Sequence, residues 1–422
     1  MGKKLLILGV GAQGSTVAQR MDEEPNVERI ICADSDPKTA ESVAAGLKKG
    51  VALVVDASDK DSIVKAAQGC DLIVNGLPLR WHGNVLDAAL EAGTDYQDFA
   101  ATDSLAPPKE NGLNDWIGSI RMLYEVYGPK FEAAGRLAIT GSGSAPGLIC
   151  AATRVAIRGL DTVDTIYNIV YEGVEAKRFL PYWWSPVTAL NDMSEEAYAV
   201  IGGELVRTPA FGLPIKRDYD YMGIGPVTLG EHCHDEPVHY WFNRDSHFKG
   251  VKNVYFKYGG FGWEFAKPLF RAGLISRIKE EVNGVSIAPF DVVLKHLPPA
   301  PKFREEIQEI LDEGLVTDTG CMVVEAYGTK DGEDVLVETH VFAPGLVESF
   351  ERSGLTAEMY LTGQGGALFT KMFVNDKYGQ KGLISSDMIT EEQIDYYFEE
   401  AAKLGIMLET KVKKKAEWPR GG

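Results

Sequence analysis

The sequence is poor in cysteine and histidine and has no long apolar run. Its 422 residues include five cysteines and seven histidines. The cysteines stand singly, with no C-x-x-C pair, so reduced thiols are expected rather than a disulfide framework. Apolar stretches are too short to span a bilayer, and the one that follows Met-Gly-Lys-Lys has no small-residue cleavage site. We therefore expect a cytoplasmic protein that does not engage a membrane.

Positive charge is also scarce. The chain has 61 acidic residues against 43 lysines and arginines, a formal net charge of −18, which would repel a nucleic-acid backbone. Its one basic cluster, KVKKKAEWPR at 411–420, is predicted to be a solvated tail. The negative field favours a cationic substrate over a dicarboxylate.

The content of the chain is that of a globular protein with more than one domain: 45% of the residues are hydrophobic and 25% are charged. Over residues 1–150, helical patterns separate six apolar runs, which are the predicted strands: KKLLILGV, RIICAD, VALVVDA, DLIVNGLP, TDYQDFA and RLAITGSG. Such runs are typical of a parallel sheet covered by helices on both faces. The pattern predicts an α/β, Rossmann-type, doubly wound first domain, with an excursion at 104–121 near its ligand edge.

The pattern of apolar and polar residues changes after about residue 151. Runs of mixed polarity, such as TVDTIYNIVYEG and NVYFKYGGFGWEF, alternate with a period of two and predict a second α+β domain over 151–355, with a mainly antiparallel sheet. Residues 356–422 are predicted to be C-terminal helices that pack back on the first domain. The last helix has Thr390 as its expected N-cap and Gly405 just past its end.

The clearest motif is GVGAQG, directly after the first predicted strand. Gly9, Gly11 and Gly14 fit G-x-G-x-x-G, in which the glycines allow a tight turn, the approach of a pyrophosphate and close helix packing. Asp34 ends the second strand, where an acid would take the ribose hydroxyls. Since a carboxylate repels a 2′-phosphate and no cation adjoins it, NAD is favoured, with NADP as the alternative.

Further cofactor contacts are expected where strands end. The predicted set also comprises Ala12, Gln13, Ser35, Asp56, Ala57, Asn75, Leu77 and Pro78. The alternative interpretation of the residues after the third and fourth strands is ordinary loop chemistry.

A family resemblance rests on GVGAQG, AD, VVDASD, VNGLP, AALEAGTDYQDFA and GSAPG, followed by HDEPVHYW, AGLIS and YLTGQGGALFTKMF with KGLISSDMI. Together these segments resemble the saccharopine dehydrogenase family, in particular its saccharopine reductase, lysine 6-dehydrogenase and carboxynorspermidine dehydrogenase branches. The resemblance implies hydride transfer between a nicotinamide and a carbon bonded to nitrogen. It also implies an amino-acid substrate, as in lysine metabolism, or a polyamine-like one. A homo-oligomer, dimeric or tetrameric, is expected separately, because one face of the second-domain sheet would be solvated or paired with another subunit.

Amine oxidation requires a base or a desolvated pocket, because an alkylammonium cannot lose hydride. Tyr96 and Asp98 end the fifth strand, at positions that lie by the cofactor in the family; the alternative for Asp98 is a helix N-cap or a carboxylate that ties a loop. His82 follows the fourth strand and is otherwise a surface histidine. His234 matches the family's His-acid-acid-Pro segment and is the fourth catalytic candidate, as an amine clamp or proton relay; otherwise this segment fixes a strand end.

The predicted substrate contacts are Arg80, Arg178, Trp184, Asp235, Glu236 and Arg244. The arginines would pair with a substrate carboxylate, although each is individually a candidate surface charge. Zinc shared by His232 and His234 has no clear third ligand, so no metal is predicted. GSGSAPG at 141–147 does not fit G-x-S-x-G and therefore predicts a turn rather than a hydrolase nucleophile.

The sequence thus predicts an NAD(P)-dependent oxidoreductase acting on a CH–NH bond of a small-molecule amine. Two alternatives stay open. One is a condensing imine reductase, in which an amine and an aldehyde combine before hydride arrives. The other is a regulator that binds the dinucleotide without catalysis.

Overall fold

A computed structural model of the chain describes residues 2–101, 103–110, 114–194, 196–219 and 222–419. The chain forms two compact units. The first unit comprises Met1–Ala151 and Met359–Leu404, and the second comprises Ala152–Glu358 and Gly405–Gly422. Each unit is therefore built from two separate segments of the chain.

The first 158 residues hold the six strands that the apolar runs predict. The strands are β1 (Lys3–Leu8), β2 (Val27–Asp34), β3 (Gly50–Val54), β4 (Leu72–Asn75), β5 (Asp95–Asp98) and β6 (Leu137–Thr140). The helices are α1 (Ala12–Glu23), α2 (Pro37–Ala45), α3 (Lys60–Ala67), α4 (His82–Ala92), α5 (Trp116–Met122), α6 (Gly128–Ala133) and α7 (Leu148–Arg158). Within the predicted excursion at 104–121, residues 111–113 lie outside the described residues, and α5 begins at Trp116.

The middle of the chain holds most of the second unit. Its strands are β7 (Thr162–Glu172), β8 (Glu175–Ala176), β9 (Ala197–Ile201), β10 (Glu204–Thr208), β11 (Ile215–Asp218), β12 (Pro226–Glu231), β13 (Asn253–Gly260), β14 (Glu280–Val282), β15 (Val285–Ile287), β16 (Leu315–Thr317), β17 (Gly320–Lys330) and β18 (Glu333–Phe342). Its helices are α8 (Pro186–Ser194), α9 (Glu236–Phe242), α10 (Arg244–His247), α11 (Phe261–Arg271), α12 (Pro289–His296), α13 (Arg304–Glu313) and α14 (Leu346–Ser353).

The last segment contributes to both units. It holds α15 (Ala357–Val374), β19 (Gly382–Ser385), α16 (Glu391–Ala402) and β20 (Met407–Lys414). Thr390 caps α16 as expected, because its side chain accepts a hydrogen bond from the backbone N–H of Gln393. The described part of the chain has no helix that is both long and apolar enough to cross a membrane.

The first unit is a seven-stranded sheet in the order β19-β6-β5-β4-β1-β2-β3, and every pairing is parallel. The predicted doubly wound fold is confirmed. The chain builds the sheet outward from β1 in one direction through β2 and β3, and in the other through β4, β5 and β6. The carboxyl ends of β1 and β4 therefore mark the switch point where such sheets bind ligands. Helix α15 contributes Ala367, Phe373 and Val374 to the core beside β1.

The second unit contains a nine-stranded sheet in which β10-β9-β13-β7-β17-β18-β20 follow one another and β12 joins β11 to β13. Among the described strands of this second sheet, only β13 and β7 pair in parallel. The expectation of a mainly antiparallel sheet is therefore confirmed. The β17–β18 hairpin turns at Asp331 and Gly332, both at positive φ, as its two-residue turn requires.

The structure corrects the sequence-based interpretation in two places. Strand β13 ends at Gly260 and the residues FGWEF begin helix α11, because Gly260 has a φ of +125° that breaks the extended run. The basic C-terminal residues are not a solvated tail, since β20 pairs with β18 along its whole length. Lys413 and Lys415 reach Glu338 and Asp334, so strand pairing and ion pairs hold this segment.

Candidate functional site

The loop between β1 and α1 has the geometry that a dinucleotide fingerprint requires. Gly9 has a φ of +77°, and a Cβ there would lie 2.9 Å from the carbonyl oxygen of Gly76, in the loop after β4. A Cβ on Gly14 would overlap the carbonyl oxygen of Gly9, so α1 sits against β1 only with glycine at this position. Gly11 differs from both, because a Cβ there would meet no atom within 4 Å. The space in front of Gly11 is open to a ligand.

The amino end of α1 is suited to an anion. Gly11 is its N-cap and provides no side-chain cap, and the first turn carries no acidic residue. The N–H groups of Ala12, Gln13 and Gly14 therefore face the open space with the positive end of the helix dipole. Asp34 lies at the end of β2 and accepts hydrogen bonds from the N–H groups of Val10 and Asp36, at 3.2 and 3.1 Å. The residues present fit a dinucleotide, with pyrophosphate at α1 and ribose at Asp34.

The other predicted cofactor residues follow strand ends of the same sheet. Ser35 and Pro78 are exposed, and Asp56 is exposed and accepts hydrogen bonds from Ser58. The carbonyl oxygen of Ala57 accepts from Asn84, on α4. These positions lie at the carboxyl edge, but their contacts with a cofactor remain predictions.

The fourth and fifth strands end in a buried polar network. Asn75 donates to the hydroxyl of Tyr96 at 3.0 Å, and Tyr96 donates to Oδ2 of Asp98 at 2.8 Å. Asp98 also accepts from the hydroxyl of Thr140 and, at 2.8 Å, from the N–H of Gly141. Both Tyr96 and Asp98 are buried. The structure thus brings the two predicted catalytic residues together, and Asp98 makes the contacts of a carboxylate that ties the loop after β6.

His82, the third catalytic candidate, joins this network and is not a surface residue. Its Nδ1 atom lies 3.7 Å from Oδ2 of Asp98, and its Nε2 atom lies 3.3 Å from the carbonyl oxygen of Leu77. Only 2% of the residue is exposed. Burial lowers the pKa of His82 to about 4, although the Leu77 carbonyl and Asp103 oppose that shift. At neutral pH the ring is uncharged and has no imidazolium proton to donate, so a catalytic role for His82 remains a prediction.

In the second unit, His234 pairs with Glu236. The Nδ1 atom of His234 lies 2.5 Å from Oε2 of Glu236, which is fully buried in the first turn of α9. Burial alone would lower the pKa of His234, but the charge and hydrogen bond of Glu236, followed by Asp235 and Asp192, raise it to about 9. The ring is therefore an imidazolium at neutral pH, and its side chain keeps 18% exposure. A buried carboxylate thus keeps the proton on an imidazole that is largely, but not fully, enclosed.

Aromatic rings fix His232 and His234, which lie in the segment between β12 and α9 rather than within a strand. The ring of His234 stacks on Phe256 with centroids 3.9 Å apart and planes 4° apart. His232 stacks on Tyr258 at 4.5 Å. The two imidazoles are 5.7 Å apart at their centroids. Among the described residues, no three His, Cys, Asp or Glu side chains converge as ligands for a metal ion.

Glu172, at the end of β7, is a candidate that the sequence interpretation missed. The indole N–H of Trp184 donates to its Oε2 atom at 3.2 Å, and the hydroxyl of Tyr258 donates to the same oxygen. Burial raises the pKa of Glu172, while these two donors and the charge of His234 oppose the shift. The only sequence signal was an acid that ends an apolar strand before a glycine, which many strand ends share. Of the predicted residues, Trp184 donates to this carboxylate and His234 acts on it through its charge.

The predicted carboxylate-binding arginines are engaged elsewhere. Arg178 pairs with Glu309 and Glu313, whose carboxylates offset the charge of its guanidinium. Arg244 donates to the carbonyl oxygen of Trp241 and stacks over its ring, while exposed Arg80 lies over the ring of Trp81. These contacts are those of surface and packing charges, so a substrate role for the three arginines remains a prediction without structural support.

Comparison with known proteins agrees with the first unit's geometry. Residues 5–124 match the family model described as "Saccharopine dehydrogenase NADP binding domain". Over 423 residues, the chain is 26% identical to carboxyaminopropylagmatine dehydrogenase of Synechocystis sp., and the alignment covers 96% of each protein. Both matches confirm the resemblance inferred from the sequence motifs.

Two solved structures share the fold over nearly the whole chain. Saccharopine dehydrogenase (L-Glu forming) from Saccharomyces cerevisiae has a TM-score of 0.67 and 16% identity, covering 98% of this chain and all of the yeast chain. Homospermidine synthase from Legionella pneumophila, solved with NAD, has a TM-score of 0.62 and 11% identity, covering 99% of this chain and 92% of its own. At these identities the likeness concerns the fold.

Proposed function

We propose that this saccharopine dehydrogenase-like, NAD(P)-dependent oxidoreductase interconverts an amine and an imine at a CH–NH bond of an amino acid or polyamine-like substrate. The observation that carries the proposal is the His234–Glu236 pair, which holds a reachable proton in a water-poor aromatic setting. Amine oxidation depends on proton transfer, because the alkylammonium that prevails at neutral pH must lose a proton before its carbon can release hydride.

The first unit would hold the cofactor through the N–H groups at the start of α1 and the carboxylate of Asp34. When bound, a nicotinamide exchanges hydride with the substrate carbon. We propose NAD as the preferred form, because the turn after β2 presents Asp34 and Asp36 and would repel a 2′-phosphate. Dissociation constants for NAD and NADP in the wild type and in Asp34→Ser would test this preference.

His234 is matched to amine chemistry by its proton affinity. A group with a pKa of about 9 can exchange a proton with an alkylamine, whose pKa is about 10, without a large energetic mismatch. In the direction of oxidation, neutral His234 would take the ammonium proton and free the lone pair that expels hydride. Glu236 would keep the ring oriented in both states.

The protonated state of His234 at neutral pH also supports the condensing alternative. An amine that adds to an aldehyde gives a carbinolamine, which must lose its hydroxyl as water before hydride arrives. An imidazolium supplies the proton for that step. A condensing reductase is therefore the second candidate function.

The relative named carboxyaminopropylagmatine dehydrogenase supports a polyamine-like substrate, and the net charge of −18 favours a cationic one. Lysine, and with it lysine metabolism, is the amino-acid alternative. We place the protein in the cytoplasm as a homo-oligomer, associated through the sheet of the second unit, where Tyr167, Tyr255 and Tyr327 form a partly exposed aromatic cluster. Light scattering on the purified chain would test the oligomer.

The test is an absorbance assay of nicotinamide reduction across lysine, ornithine, saccharopine-like opines, agmatine and polyamines. Formation of reduced cofactor with a single amine supports dehydrogenation, whereas consumption that requires an amine and an aldehyde together supports the condensing reaction. In both cases His234→Gln should lower kcat by about a hundredfold or more while dinucleotide affinity is unchanged. Turnover of none of these substrates, or full activity in the variant, would contradict the proposal.

A further inference from the structure

Glu172 has a carboxylate partner in the second unit that the chemistry above does not use. Glu358, in the first turn of α15, lies in the field of Glu172 and has its Oε2 atom buried. Within the described residues no group donates a hydrogen bond to that atom. Burial, and next the charge of Glu172, raise the pKa of Glu358 to about 8. Near neutral pH the two carboxyl groups therefore hold one proton between them.

The surroundings are those of a cation site rather than of a structural ion pair. Both hydrogen bonds to Glu172 go to Oε2, so Oε1 accepts none from the described residues. The groups that face the pair are Tyr258, Tyr182, Trp184 and His234 near Glu172, and Thr356 and Asp318 near Glu358. His234 is the one cation among them, and Glu236 already engages it.

A second orphaned atom belongs to the same cluster. Glu236 is fully buried, and its Oε1 atom has no hydrogen-bond partner in the described part of the chain, although its Oε2 atom binds His234. His232, stacked on Tyr258, likewise has a buried Nδ1 atom without a partner there. Buried polar atoms are rarely left unpaired, because each one costs free energy. Several such unpaired atoms in one cluster indicate a site where a polar ligand supplies the missing hydrogen bonds.

We infer that the Glu172–Glu358 pair binds a cationic nitrogen group of the substrate and releases its shared proton when that group arrives. The inference deepens the proposed function and rests on it for the identity of the substrate. The exchange balances in charge and atoms: one ammonium binds two carboxylates, and one proton leaves the carboxyl oxygen for solvent. Trp184 and Tyr258 line the site through the N–H and O–H groups that they donate to Oε2 of Glu172.

This site also constrains the substrate. An ammonium held by two carboxylates stays charged, and a charged nitrogen cannot release hydride from its carbon. The nitrogen bound here is therefore not the one that reacts. A substrate that uses both groups carries at least two amine-type nitrogens, one at the pair and one at the reacting carbon.

Isothermal titration of the full chain with butane-1,4-diamine tests the exchange without any turnover. Repeating the titration in buffers of different ionisation enthalpy gives the number of protons released. We expect a release that approaches one proton per diamine at neutral pH and vanishes well above pH 8, where the pair is already ionised. Butylamine and 4-aminobutanoate, which lack a second cation, should bind at least about tenfold more weakly.

Variants separate the roles of the two acids. Glu172→Gln should weaken diamine binding about tenfold or more, and Glu358→Gln should abolish proton release. Exposed Glu351→Gln is the matched control and should change neither. No diamine binding, binding without proton release in the wild type, or unchanged binding in Glu172→Gln would overturn the inference. A protein that binds diamines with proton release but reduces no cofactor would instead contradict the proposed function alone.

Discussion

The Nδ1 atom of His234 lies 2.5 Å from Oε2 of Glu236, two residues along the chain, while the ring of His234 lies flat on Phe256. This relationship fixes the ring in both orientation and charge. Because β12 ends at Glu231 and α9 begins at Glu236, the intervening turn carries the imidazole back toward the helix's first carboxylate. Glu236 thereby decides whether His234 is a proton donor at neutral pH.

Replacing Glu236 by glutamine should lower the pKa of His234 from about 9, because burial then acts against a weaker attraction. In the wild type the pKa is higher in the folded than in the unfolded state. The pair's stabilisation is therefore complete below pH 6.5 and is lost as pH rises through 9. That loss amounts to about 3 kcal/mol at most, at 1.36 kcal/mol per pKa unit.

Thermal unfolding of the wild type and Glu236→Gln across this pH range checks the prediction. The Tm of the wild type should fall more steeply with rising pH than that of the variant, and the acid limb of the rate profile should move. Exposed Glu204→Gln, in the same unit, controls for the loss of one negative charge. Identical pH dependence in the two proteins would show that Glu236 does not set the charge of His234.

Alanine substitutions at two glycines of the nucleotide loop should have different effects on stability and dinucleotide binding. Gly11→Ala places its Cβ in open space, so folding should be unaffected while dinucleotide affinity falls about tenfold or more. Gly14→Ala drives its Cβ into the Gly9 carbonyl oxygen and should lower both Tm and affinity. Fluorescence titration with NADH and thermal unfolding provide the two readouts. A normal affinity in Gly11→Ala would place the pyrophosphate elsewhere.

Asp98→Asn replaces a carboxylate, which only accepts hydrogen bonds, by an amide that also donates them. Its partners include the hydroxyls of Tyr96 and Thr140 and the N–H of Gly141, so the new NH₂ group can donate only if one of the two hydroxyls gives up its own donation. We expect a loss of about 1–3 kcal/mol in unfolding free energy. Turnover should fall while NAD binding is retained, because the loops after β5 and β6 lose their shared anchor.

Asp95→Asn is the matched control for this variant. Asp95 is also a buried carboxylate of β5, but it lies at the amino end of the strand and accepts from the N–H of Leu137. The Asp95→Asn substitution should lower Tm without lowering kcat. Full activity in Asp98→Asn would remove Asp98 from the catalytic assignment, and equal loss in both variants would reduce its role to stability.

The first unit was predictable because its signals are local. Strands β1, β3, β4 and β6 are mostly apolar runs, and Gly9, Gly11 and Gly14 act within one turn. The seventh strand, β19, escaped prediction, because nothing in GLIS shows that it pairs with β6 more than 240 residues earlier. The strand near the C-terminus was not predicted for a similar reason. The lysines of this segment indicate an exposed tail, and their partners Glu338 and Asp334 come from a strand much earlier in the sequence.

The sequence by itself determined that the chain holds a dinucleotide on a parallel sheet, since backbone conformation and spacing suffice for that. Only the tertiary structure decided which side chains carry charge and where. Glu172 and Glu358 meet from distant parts of the chain, and His82 and His234 are placed in opposite protonation states. The physical reason is that a pKa depends on burial and on neighbours in space, which no local pattern of residues encodes.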